Sequence, residues 1–127
     1  MPKIELRYGK TQIPFEYDEN QFVVLGLEKQ TAPLTDAEIG LKFDTPIDSK
    51  PIEEIISEGE SVLIVVPDAT RQTACASVVN LLVRRLIAGG TLPFNISIIF
   101  ATGIHRKVTT DEKRELLTPF IFQRIKT

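Results

Sequence analysis

Residues 61–105 read SVLIVVPDATRQTACASVVNLLVRRLIAGGTLPFNISIIFATGIH, and this stretch decides the fold. Residues 61–66 (SVLIVV) and 95–100 (NISIIF) are apolar runs of strand length, the pattern of parallel strands buried on both faces. Between them, Cys75, Val78, Val79, Leu82 and Leu86 recur at helical spacing, with Thr73, Ser77, Asn80 and Arg84 as a polar stripe. The spacing predicts a helix over 73–88, ended by Gly89-Gly90 and kept from restarting by Pro93. A strand, a crossover helix and a second strand form a βαβ unit, which is right-handed in nearly all folds.

Two short turns follow the two strands: Pro67-Asp68-Ala69-Thr70-Arg71 and Ala101-Thr102-Gly103-Ile104-His105-Arg106. In neighbouring parallel strands they emerge side by side at the carboxyl edge of the sheet, where open α/β sheets bind ligands. Arg71 offers a planar fork of donors for a carboxylate or phosphate, and Asp68 can orient a donor or hold the arginine. Thr70 and Thr102 add hydroxyls, and the start of the helix adds unpaired N–H groups. Gly103 allows a sharp bend before His105, the single histidine of the chain. One acid among several bases suits a small anion. Neither G-x-G-x-x-G after a strand nor G-x-x-x-x-G-K occurs, so the usual phosphate-loop fingerprints are absent from the sequence.

Outward from this core, residues 3–8 (KIELRY) alternate as a half-buried strand, and Gly9-Lys10 turns them into a second strand over 11–15. The apolar run 22–25 within residues 21–27 predicts a further short strand. Thr35 and Glu38 have capping-box spacing for a helix to about Leu41, and Pro51 opens a helix to about Ser57 with Ile52, Ile55 and Ile56 inward. Thr109 and Glu112 form another capping box, for a helix to Leu117. Past Pro119, the apolar Phe120, Ile121, Phe122 and Ile125 read as an interrupted continuation. The fold class expected is α/β: a Rossmann-like, mainly parallel sheet with helices on its faces and an antiparallel N-terminal hairpin.

Bulk composition narrows the function classes. A chain of 127 residues, 43% hydrophobic and 25% charged, can bury one core. A net charge of −2 provides no electrostatic footprint for nucleic acid or an anionic membrane. No apolar run approaches the ~18 residues of a membrane span. One cysteine rules out an internal disulfide framework and suits a cytoplasmic location.

Asp68-Ala69-Thr70-Arg71 and Ala101-Thr102-Gly103-Ile104-His105-Arg106, in this order and at the ends of successive strands, resemble the two N-terminal signatures of the nickel-dependent lactate racemases and related 2-hydroxyacid racemases and epimerases. The resemblance implies a nickel pincer nucleotide as cofactor and a small anionic 2-hydroxyacid as substrate. It also implies a mechanism in which one histidine removes the hydroxyl proton while the α-hydrogen leaves as hydride, a second histidine serving the opposite face. By this resemblance His105 is one of the two acid–base histidines, and Arg71, Asp68 and Thr70 belong to the substrate- or cofactor-binding motif. An imidazole suits the role because its unperturbed pKa lies near working pH. The second histidine, the tethering lysine and the nickel-ligating histidine of that family have no counterpart in residues 1–127. The expectation is therefore a single domain that forms the N-terminal part of a longer two-domain enzyme, partnered by the C-terminal domain and inactive alone.

Each assignment has a plainer rival. A lone histidine is commonly a surface or structural residue, Arg71 could pair with Asp68 across the turn, and Asp68 could cap that turn. Arg84-Arg85 reads as a solvated helix flank, Cys75 as a small core residue, and Arg106 and Lys107 as loop charges. The alternative functions are a stand-alone, non-catalytic anion- or nucleotide-binding module and a purely structural domain.

Overall fold

The computed structural model describes residues 1–26, 32–71 and 73–127, which fall into two compact units, Met1–Pro33 and Leu34–Thr127. In the first unit, β1 (Lys3–Tyr8) and β2 (Thr11–Glu16) pair antiparallel, with Ile4 opposite Phe15 and Leu6 opposite Ile13. Gly9 turns the hairpin at φ +60, a conformation that glycine adopts without strain. The Lys3–Glu16 ion pair closes its open end at 2.7 Å. Residues 22–25 form no strand: Phe22, Val23, Val24 and Leu25 are exposed without a ladder, and Leu27 lies outside the described residues. An apolar run is necessary for such a strand, but a partner edge is what makes it one.

The second unit contains α1 (Asp36–Asp44), α2 (Ile52–Ile55), β3 (Val62–Pro67), α3 (Cys75–Ala88), β4 (Ile96–Ala101), α4 (Thr110–Leu116) and α5 (Pro119–Arg124). A 3-10 turn at Pro93–Asn95 leads into β4. Strands β3 and β4 run parallel and in register, Val62 beside Ile96 and Pro67 beside Ala101, so the two signature turns do leave the sheet side by side. On the far side of β4, Ile98 N–H donates to the Lys126 carbonyl at 2.8 Å, and Ser97 and Lys126 form a parallel bridge.

The chain is α/β, with helices flanking a parallel β3–β4 pair and an antiparallel hairpin ahead of it. The core comprises Val66, Ile96 and Ile98 of the sheet, Cys75, Val79, Val83 and Leu86 of α3, and Leu117, Ile121 and Ile125. Burial is one-sided, which differs from the expectation for these strands. Leu63, Val65 and Ile99, on the alternate face, remain exposed. With both parities of a strand apolar, sequence cannot tell a face that is covered from one that merely could be.

Several helix details also differ. Helix α1 runs past Leu41 to Asp44, with the complete Thr35–Glu38 capping box. Helix α2 is a single turn that leaves Ile55 exposed while Ile52 and Ile56 pack on the core. Arg85 is no solvated flank: its guanidinium pairs with Glu53, with Asp44 at 2.7 Å and with the Gly40 carbonyl at 3.3 Å, tying α1 and α2 to α3. Residues past Pro119 form a real helix, capped by Thr118 with Pro119 in the first turn, and Ile121 is fully buried.

Candidate active site

The site begins with the carboxylate of Asp68, the one buried polar or charged residue among those described. It sits one residue past β3 with a relative exposure of 4%. Its Oδ1 accepts from the Thr70 hydroxyl at 2.6 Å and from the Thr70 N–H at 3.1 Å, while the Asp68 carbonyl accepts from Arg71 N–H at 3.2 Å. The carboxylate thus caps its own turn with one oxygen. The other oxygen, Oδ2, lies 2.6 Å from Nδ1 of His105.

The second loop delivers that imidazole. Gly103 takes φ +54, and His105 N–H donates to the Thr102 carbonyl at 2.9 Å to close the turn. The side chain of His105 is 44% exposed, against 5% for that of Asp68, so the pair has a buried foot and an open head. Hydrogen bonds from Thr70 first, and then from His105, hold the Asp68 pKa down at about 2. At neutral pH Asp68 is therefore ionised and can only accept, so the neutral imidazole must carry its proton on Nδ1 and donate it to Oδ2. Nε2 is left with a free lone pair, the arrangement of a positioned general base.

Arg106, next in sequence, turns aside from this pair. Its Nη1 and Nη2 donate to Oε2 and Oε1 of Glu112 at 2.9 and 2.7 Å. Glu112 also completes the cap of α4, Oε2 accepting from Thr109 N–H at 2.8 Å. The Arg106 fork first, and then Thr109, pull the Glu112 pKa down to about 2. Sequence reasoning gave Glu112 only its capping role, because a partner six residues back across an irregular loop leaves no periodic signal. The cleft between the loops has a volume of about 60 Å³ and is lined by residues 68–70 from one side and by His105, Arg106, Val108 and Glu112 from the other.

Of the residues singled out in the sequence, the fold brings Asp68, Thr70 and His105 into one hydrogen-bonded chain. Arg71 stands apart from it. Its side chain is exposed, has no partner among the described residues and does not line the cleft, so the suggested pairing with Asp68 is not made. Thr102 contributes its carbonyl to the His105 turn. Cys75 is buried in the core, and burial raises its thiol pKa, the behaviour of an inert packing residue.

A protein-family model described as the lactate racemase N-terminal domain matches residues 8–127. The chain belongs to this family. A search of individually curated proteins found no match. The matched span includes both signature loops and the whole βαβ unit, so the Asp68–His105 pair lies within the part of the chain that defines the lactate racemase N-terminal domain. No helix among the described residues is long and apolar enough to cross a membrane.

Proposed function

We propose that this domain supplies one acid–base face of a 2-hydroxyacid racemase of the lactate type. The observation that carries the proposal is the 2.6 Å contact between Asp68 Oδ2 and His105 Nδ1, which frees Nε2 at the open mouth of the parallel strands. On this reading Nε2 of His105 takes the proton of the substrate hydroxyl and returns it in the reverse direction. Asp68 fixes the tautomer and steadies the imidazolium formed in between, and Thr70 holds Asp68. Arg71, on the Asp68 loop but outside the cleft lining, has a side chain with no partner among the described residues and is the available fork for a substrate carboxylate that projects from the cleft. The cleft of about 60 Å³ is far below the roughly 300–1,000 Å³ of sites that enclose a drug- or cofactor-sized ligand, so on this chain it can hold only the reacting end of a substrate.

The donor set does not fit a nickel centre by itself. Among the described residues no group of three or more His, Cys, Asp or Glu side chains could hold a metal ion. The family resemblance nonetheless makes a nickel pincer nucleotide the expected hydride acceptor, so its ligands would come from a C-terminal partner domain. The family's name for the matched region, an N-terminal domain, supports the same division of labour. The domain alone would then bind a small anion without turning it over, in the cytoplasm.

The test is racemisation of 2-hydroxyacids by the domain joined to its C-terminal partner and loaded with cofactor. His105→Ala should abolish turnover while leaving circular dichroism unchanged. Near-normal turnover in that variant would remove His105 from the mechanism. Saturable binding of nucleotide phosphates to the domain, with no turnover in the joined protein, would favour the binding-module reading.

A further inference from the structure

We propose that Glu112 is a positioning residue for the His105 imidazole, acting by holding the Arg106 guanidinium away from Asp68. The inference deepens the acid–base reading of the same site and gains its catalytic meaning from it, but the geometry it describes can be tested without turnover. Asp68 is ionised, nearly buried, and has one oxygen committed to Thr70. Its other oxygen, Oδ2, is the one that His105 uses, and a cleft of about 60 Å³ leaves little room for a second side chain beside it.

Two donors compete for it by position. His105 holds it at 2.6 Å, and Arg106, the next residue, lines the same small cleft as Asp68. An arginine fork forms stronger, bidentate bonds to a carboxylate than a neutral imidazole does, so an unrestrained Arg106 would displace His105. Glu112 prevents this. Both of its oxygens engage both terminal nitrogens of Arg106, and Oε2 also accepts from the backbone N–H and hydroxyl of Thr109 at 2.8 and 3.1 Å. One carboxylate therefore satisfies the competing cation and pins the loop between residues 106 and 109 to the first turn of α4. The device secures the tautomer of His105, with the proton on Nδ1 and the lone pair on Nε2.

Because the chain has a single histidine, its two ring nitrogens can be followed by ¹⁵N NMR in the intact domain at alkaline pH. The wild-type domain should give one protonated and one unprotonated ring-nitrogen signal. Glu112→Gln keeps a capping side chain at the third helical position but loses the charged fork, so α4 should survive by circular dichroism. In that variant the two ring signals should move toward a common averaged position, as the imidazole loses Asp68. The second change decides the question: in Glu112→Gln/Arg106→Gln the competitor is gone, and the separated pair of signals should return. A Glu112→Gln spectrum identical to wild type, or a double variant as averaged as the single, would overturn the proposal. Failure of racemisation with the wild-type ring signals intact would instead count against the catalytic reading alone.

Discussion

Ile121 and Ile104 carry the same side chain in opposite surroundings, fully buried on α5 and fully exposed at the tip of the His105 loop. Truncating Ile121 to alanine removes hydrocarbon from the core formed with α3 and β4, and the space left behind cannot fully collapse. Such buried Ile→Ala changes cost about 2–5 kcal/mol, whereas an exposed position such as Ile104 should change stability by no more than about 0.5 kcal/mol. At an m-value of ~1.5 kcal/mol/M, a loss of ~3 kcal/mol lowers the urea midpoint by about 2 M. That is a large share of the ~5–15 kcal/mol available to a domain of ordinary stability. The assay is urea unfolding followed by helical circular dichroism, which reports on the Leu34–Thr127 unit because every described helix lies there. Ile104→Ala is the control for side-chain chemistry. If Ile121→Ala lay within ~1 kcal/mol of wild type, α5 would not be a wall of the core, and the burial argument would fail.

The pH dependence of stability has a definite sign. The Asp68 and Glu112 pKa values are depressed to about 2 from ordinary values of 3.8 and 4.5, so their contributions are present above the unfolded values and are lost as pH falls toward 2. The urea midpoint should therefore drop between about pH 4.5 and 2, and drop less in Asp68→Asn; an equal drop in that variant would mean that Asp68 contributes nothing. Gly103→Ala should destabilise the His105 turn, because φ +54 costs a residue with a Cβ about 1–2 kcal/mol even though no atom crowds the site. A stability equal to or above wild type would show that the turn relaxes freely. Arg71→Lys should weaken binding of lactate-type carboxylates roughly tenfold, since an ammonium cannot match the planar fork. Unchanged affinity by calorimetry would remove Arg71 as the anion anchor.

The local elements could be read because their signals are local. Thr35 with Glu38 and Thr109 with Glu112 specify helix starts through hydrogen bonds that close within three residues. Apolar spacing placed α3, and two apolar runs around it placed β3 and β4, hence the adjacency of the Asp68 and His105 loops. The family resemblance of those loops was legible for the same reason: each motif is contiguous. Helix α5 was missed although Thr118-Pro119 is a start signal and Ile121 and Ile125 lie four apart, because a short apolar segment after a proline reads equally well as an unfinished strand.

Sequence by itself determined that two strands and a crossover helix bring an aspartate loop and a histidine loop to one sheet edge, since right-handed crossovers leave little choice. Only the tertiary structure decided which donor the aspartate takes. Asp68, Arg71, His105 and Arg106 admit several pairings, and distances across the loops select His105 for Asp68 and Glu112 for Arg106, leaving the Arg71 side chain without a partner among the described residues. It also decided that one face of β3 and β4 is covered and the other is not. Pairing between loops depends on separations of a few tenths of an ångström, and burial depends on what other segments reach a face; neither is written in the spacing of residues along a chain.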